Sequence, residues 1–157
     1  MKIGLIQFGL PPGYNRKIGK DNSINHLEEK LEYKGYGIVK AEICTAGELE
    51  RTVAFLHREG VFCLVVCLKH WTRIALVARL VRVMGMPTAL YAFTTAGYNG
   101  ITALTAASAV LNEIKIEGQG NSHHRFKEGM ESELLVWLEA VDAYSRMRSS
   151  RLLCWGG

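Results

Sequence analysis

Arg16 and Trp71 are the two side chains that loop position best places to meet a ligand. Arg16 lies in the loop at residues 9–20, beside Tyr14, Asn15 and Lys17. Its guanidinium can present a fork of donors to hydroxyls or carboxylates; the bland alternative is a solvated arginine. Trp71 follows the most apolar run of the chain, in the order Lys69, His70, Trp71, Thr72. There a flat aromatic face can wall a sugar ring, or pack against its own neighbours. His70 stands at no metal-ligand spacing and reads as structural. The loop at 94–100 gathers hydroxyls, an amide and two glycines before a helix. That suits an anion at the helix start or Asn99 as its cap, and the cap is the expectation.

Other chemistries find little to use. Glycines at 9, 13 and 19 fit neither G-x-G-x-x-G nor G-x-x-x-x-G-K-[ST]. Pro11 and Pro12 deny the tight turn a dinucleotide site needs, so nucleotide binding is disfavoured. His123 and His124 are neighbours on a short strand and point to opposite faces, which prevents both from serving one metal. No other His, Asp or Glu spacing suggests a metal, and no nucleophile elbow is present. The expectation is no catalytic residue, no metal site and no cofactor within this chain.

Composition bounds the class. The chain has 157 residues, 48% of them hydrophobic and 22% charged, which suits one ordinary globular domain. The formal net charge is +4, and the basic residues are dispersed rather than striped, so nucleic acid is not an expected partner. Cys44, Cys63, Cys67 and Cys154 each sit in an apolar run, where a thiol behaves as a small hydrophobe. Cys63 and Cys67 stand four apart on a strand, facing one side, and lack the C-x-x-C spacing of zinc or redox sites. Reduced core thiols in a cytoplasmic protein are the natural reading. The first apolar run is a strand, not a signal peptide, and no stretch is long enough to span a membrane.

Strand-like segments at 2–8, 37–44, 61–68, 88–93 and 123–126 alternate with helical patterns at about 23–34, 48–58, 72–84, 101–114 and 130–147. Gly35, Gly60 and Gly85 stop the first three helices. The run at 61–68 is almost wholly apolar, as expected of a central parallel strand covered on both faces. Repeated strand–helix units predict a three-layer, doubly wound α/β domain, flavodoxin-like or Rossmann-like, with a mostly parallel sheet and helices on both faces. Ligands in such sheets bind beyond the carboxyl ends of the strands, which singles out the loops after Phe8, Leu68 and Phe93. A further apolar run, Leu152 to Trp155, ends in Gly156 and Gly157 and reads as a sixth strand. The predicted organisation is therefore a domain at 1–148 and, at 149–157, the first strand of a second domain.

Several segments together resemble the N-terminal domain of the L-fucose isomerase and L-arabinose isomerase-like family. They are IGLI at 3–6 with its Pro-containing loop, GVFCLVV at 60–66, Trp71 with Thr72, GMPTALYA at 85–92, the loop and helix at 97–107, and SSRLLCWGG at 149–157. The resemblance implies aldose–ketose isomerisation with a divalent metal, usually manganese, which polarises the oxygens of the opened sugar. In that family the metal ligands and acid–base groups belong to the second and third domains, so this chain alone is expected to be inactive. The N-terminal domain of the fucose enzymes contributes an arginine from the first-strand loop and a tryptophan after a later strand to a substrate pocket completed between subunits. By position these are Arg16 and Trp71. The expected partners are a sugar or polyol, and either further copies of the chain or a chain carrying the catalytic domains. The alternative is a free-standing α/β ligand-binding or protein-interaction module without enzymatic activity.

Overall fold

The computed structural model describes residues 1–9, 23–95, 99–114 and 123–150. Among the described residues ten elements alternate: β1 (Lys2–Phe8), α1 (Ser23–Tyr33), β2 (Gly37–Ile43), α2 (Ala46–Glu59), β3 (Val61–Leu68), α3 (Ile74–Met84), β4 (Thr88–Ala92), α4 (Gly100–Glu113), β5 (His123–Lys127) and α5 (Glu131–Ser149). The strands form one sheet in the order β2-β1-β3-β4-β5, every pairing parallel. The predicted doubly wound α/β architecture is the one observed, in its flavodoxin-like strand order. Residues 151–157, where the sequence reading places a further strand, lie outside the described residues.

Local chemistry accounts for the element boundaries. Thr45 caps α2 by accepting from the Glu48 backbone N–H at 3.3 Å, and the Glu48 carboxylate accepts from the N–H groups of Cys44 and Thr45 at 2.7 and 2.9 Å. This reciprocal capping box starts the helix at Ala46, earlier than the apolar periodicity alone indicates. Gly60 and Gly85 end α2 and α3 in the left-handed region, at φ 67° and 58°, where glycine carries no side-chain penalty. The third helix begins at Ile74 rather than near Thr72, leaving residues 69–73 as a true loop beyond β3.

Two apolar layers sandwich the sheet. On one face α2, α3 and α4 bury Leu49, Leu56, Leu80, Ala103 and Ala107 against Ile6, Leu64, Val66 and Leu90. On the other, α1 and α5 bury Leu27, Leu31, Leu134 and Leu138 against Ile3, Val65, Tyr91 and Phe126. The alternation along β3 thus serves both cores, which is why its sequence is apolar without a break. Cys63 and Cys67 are free and fully buried in the α1/α5 layer. Burial raises both thiols well above the normal range, Cys67 to about 12, so they stay protonated and inert.

Candidate functional site

The strand order reverses direction between β1 and β3. Chain leaves β1 toward β2 on one side and leaves β3 toward β4 on the other, which opens a crevice at their carboxyl ends. Gln7 near the end of β1 lies in register with Glu42 of β2 and Cys67 of β3. Around them is a cleft of about 220 Å³ lined by Leu5, Gln7, Ile24, Lys40, Ala41, Glu42 and Cys67. The amide of Gln7 both donates and accepts, and Glu42 adds acceptors. Lys40 is held by Glu28 of α1 at 2.8 Å. With the Cys67 thiol protonated, the lining offers hydrogen bonds rather than a nucleophile. Gly9 closes the end of β1: its N–H donates to the Ile43 carbonyl at 3.1 Å. A Cβ at Gly9 would stand 2.3 Å from Cys44 Sγ and 2.8 Å from Glu42 Oε1.

Trp71 emerges four residues beyond Cys67, and 58% of it is exposed to solvent. The preceding Lys69 and His70 are buried. Lys69 carries its ammonium 5.1 Å from the centre of the Phe93 ring, across the ends of β3 and β4. The loop is therefore anchored by its first residues and presents the aromatic ring at its outer turn. Thr72 turns back inside, and its hydroxyl is buried without a hydrogen-bond partner among the described residues. Of the two side chains singled out from sequence, Trp71 lies exposed on the loop beyond the carboxyl edge of β3, and Arg16 lies outside the described residues.

A second group of polar contacts flanks this edge. The Glu128 carboxylate accepts from the backbone N–H and the hydroxyl of both Thr94 and Thr95, at 2.9–3.1 Å. Burial raises its pKa, but these four donors outweigh burial and leave it lowered. Sequence reasoning picked out the hydroxyls after β4 but not the carboxylate that fills them, which comes from the turn after β5. Behind it, Glu131 accepts from the Tyr91 hydroxyl, from the Gly129 N–H at 2.9 Å and from Lys30 of α1 at 3.1 Å.

The start of α4 corrects one expectation. Asn99 occupies the cap position, yet its side chain makes no capping hydrogen bond. Its backbone is used instead: the N–H donates to the Lys69 carbonyl at 3.0 Å, and the carbonyl accepts from Ala103 at 3.0 Å. The helix is pinned to the loop after β3 by main chain, and Gly100 makes that approach possible. A Cβ there would lie 2.3 Å from the Phe93 carbonyl and 2.5 Å from that of Leu68.

The two adjacent histidines of β5 separate as expected. His123 Nε2 lies 3.0 Å from Ser108 Oγ on α4, while the His124 ring sits 5.6 Å from that of Trp137 on α5. Desolvation, then Arg125 and His124, lower the pKa of His123. Among the described residues no group of three His, Cys, Asp or Glu side chains gathers where it could hold a metal. The divalent metal implied by the resemblance has no fitting donor set there. No helix among the described residues is long and apolar enough to cross a membrane. Comparison of the sequence with protein-family models and with curated proteins finds no match.

Proposed function

We propose that this chain is a sugar-facing N-terminal domain of an L-fucose/L-arabinose isomerase-like protein. In this reading it binds a sugar or polyol at the crevice between β1 and β3. The isomerase-like chemistry belongs to metal-bearing domains that this chain joins, covalently or as a separate subunit. The observation that carries the reading is Trp71: a large aromatic, more than half exposed, set on a loop anchored at the end of the central strand. Burying such a ring against the apolar face of a pyranose or an extended polyol removes carbon surface from water on both sides. Gln7 and Glu42 add the hydrogen-bonding groups that hydroxyls require. Arg16, in the sequence that follows β1, is assigned a donor role toward the same ligand. A cytoplasmic location and assembly into oligomers belong to this reading.

Titration of the purified chain with L-fucose, L-arabinose and their polyols, followed by intrinsic tryptophan fluorescence, tests it. A saturable change that disappears in Trp71→Phe is the expected result. A wild-type response that survives in Trp71→Phe would remove the assignment of Trp71. No wild-type response through the millimolar range would remove sugar binding by this domain. Aldose-to-ketose turnover by the chain with manganese alone would overturn the placement of the chemistry elsewhere.

The second reading, a protein-interaction module without enzymatic activity, draws on the outer face of α5. Val136 and Met147 are 66% and 75% exposed on that helix, and contiguous exposed apolar side chains are what mark an interaction surface.

A further inference from the structure

α5 buries Leu134, Leu138 and Val141 against the sheet. Directly opposite them, Val136, Ala140, Ala143 and Met147 recur at intervals of four, three and four residues, and all four are exposed. That spacing keeps one apolar seam on a helix face and is the pattern by which two helices pack along their lengths. The two central positions are alanines, so two backbones can approach closely at mid-helix while Val136 and Met147 interlock at the ends. Tyr144, 58% exposed, borders the seam and adds the kind of side chain enriched at interface cores.

We propose that this face is the self-association surface of the chain, with two copies of α5 packed antiparallel about a two-fold axis between Ala140 and Ala143. Charge selects both the occupant and the direction. The acidic Glu133 and Glu139 occupy the first part of the helix, and Arg146 and Arg148 the last part. Reversing one copy sets Glu139 beside Arg146 of the other, and the symmetry repeats the pair. Glu133 likewise comes near Arg148 of the other copy. Parallel packing would instead stack like charges at both ends and align the two helix dipoles unfavourably. Arg146 already holds Asp142 of its own helix at 2.8 Å; its guanidinium has five N–H donors, and the fork can serve a second carboxylate. One helix per protomer is a small interface, so the association is weak and concentration-dependent.

The inference stands apart from the sugar-binding reading, because the seam and the crevice share no residue. Analytical ultracentrifugation of the whole chain tests it, from about 1 μM to about 500 μM, the range over which a small interface populates. The mass should rise from the 17.5 kDa of one chain toward twice that value. Ala143→Glu places two charges at the centre and should weaken association at least about tenfold, with helix content and thermal unfolding unchanged. Glu139→Arg should weaken it too, and the double change Glu139→Arg with Arg146→Glu should restore it. A monomer at every concentration overturns the proposal and leaves the face to a different chain. A dimer indifferent to Ala143→Glu overturns the choice of surface. Failure of the charge exchange to restore a weakened dimer overturns the antiparallel arrangement.

Discussion

Glu131 ties together three elements. Its carboxylate accepts from Tyr91 on β4, from the Gly129 backbone at the start of its own helix and from Lys30 on α1. Burial alone would raise its pKa, but these bonds prevail and hold it at about 2. The same bond works in reverse on Tyr91, whose hydroxyl is raised by burial and by its donation to Glu131. The folded value of Glu131 lies below its unfolded value near 4.5. Its contribution to stability is therefore complete above that value and disappears as pH falls from there through about 2. Glu131→Gln should lower the unfolding free energy at neutral pH by about 1–2 kcal/mol, the worth of hydrogen bonds to a charged group on a partly exposed site. Urea titrations at pH 7 and pH 3 should show the gap between variant and wild type narrowing at the lower pH. A gap that persists undiminished would assign the loss to shape rather than charge. Neither this hub nor the Glu128 contacts can be read from spacing. Tyr91 and Glu131 are 40 residues apart, and Thr94 and Glu128 are 34 apart. Trp71 was legible because it follows an unmistakable buried strand; the burial of Lys69 two residues earlier was not, since lysine is rarely buried.

The elements themselves were legible largely from their ends. Gly60 and Gly85 punctuate α2 and α3 where their left-handed φ values require them, and the apolar period fills the space between. Thr45 with Glu48 is an equally local signal, and it explains why α2 starts before its first core residue. Gly100 differs from these in kind, because what it avoids is a collision. Gly100→Ala would drive a methyl into two carbonyl oxygens that belong to the ends of β3 and β4, and neither can move without disturbing the sheet. The variant should lose about 1–3 kcal/mol, the usual penalty for forcing an extra carbon into a packed site. In urea this would appear as a lower midpoint with an unchanged slope. Gly47→Ala is the matched control: nothing lies within 4 Å of a Cβ there, and alanine in a helix should be neutral or stabilising. Equal losses at the two positions would contradict the close approach of α4 to the strand ends.

Across the whole molecule, the strand order makes β3 the centre, with β1 and β4 beside it and β2 and β5 at the edges. Every residue of β4 and nearly all of β3 are buried, whereas β5 buries only Phe126. Amide hydrogen exchange should follow that gradient. The amides of β3, and those of β1 and β4 bonded to it, should exchange only by global unfolding, and those of β5 through local opening at lower cost. Protection of β5 equal to that of β3 would show that the edge is covered in solution. What the sequence by itself determined is the set of described elements, their order and the class of fold, because the two- and near-four-residue apolar periods and the glycine stops act over a few residues. It also singled out Trp71 and Arg16 as candidates to meet a ligand, and Arg16 lies outside the described residues. The tertiary structure alone decided that β1 lies between β2 and β3, which sets the crevice where it is. It also decided that Glu128 fills the Thr94–Thr95 donors and that Val136, Ala140, Ala143 and Met147 of α5 face away from the sheet. The period of α5 is blurred by apolar residues on both faces, and only the packing of Leu134, Leu138 and Val141 onto the sheet separates the buried stripe from the exposed one. These outcomes depend on contacts between residues distant in the chain, and local patterning carries no record of them.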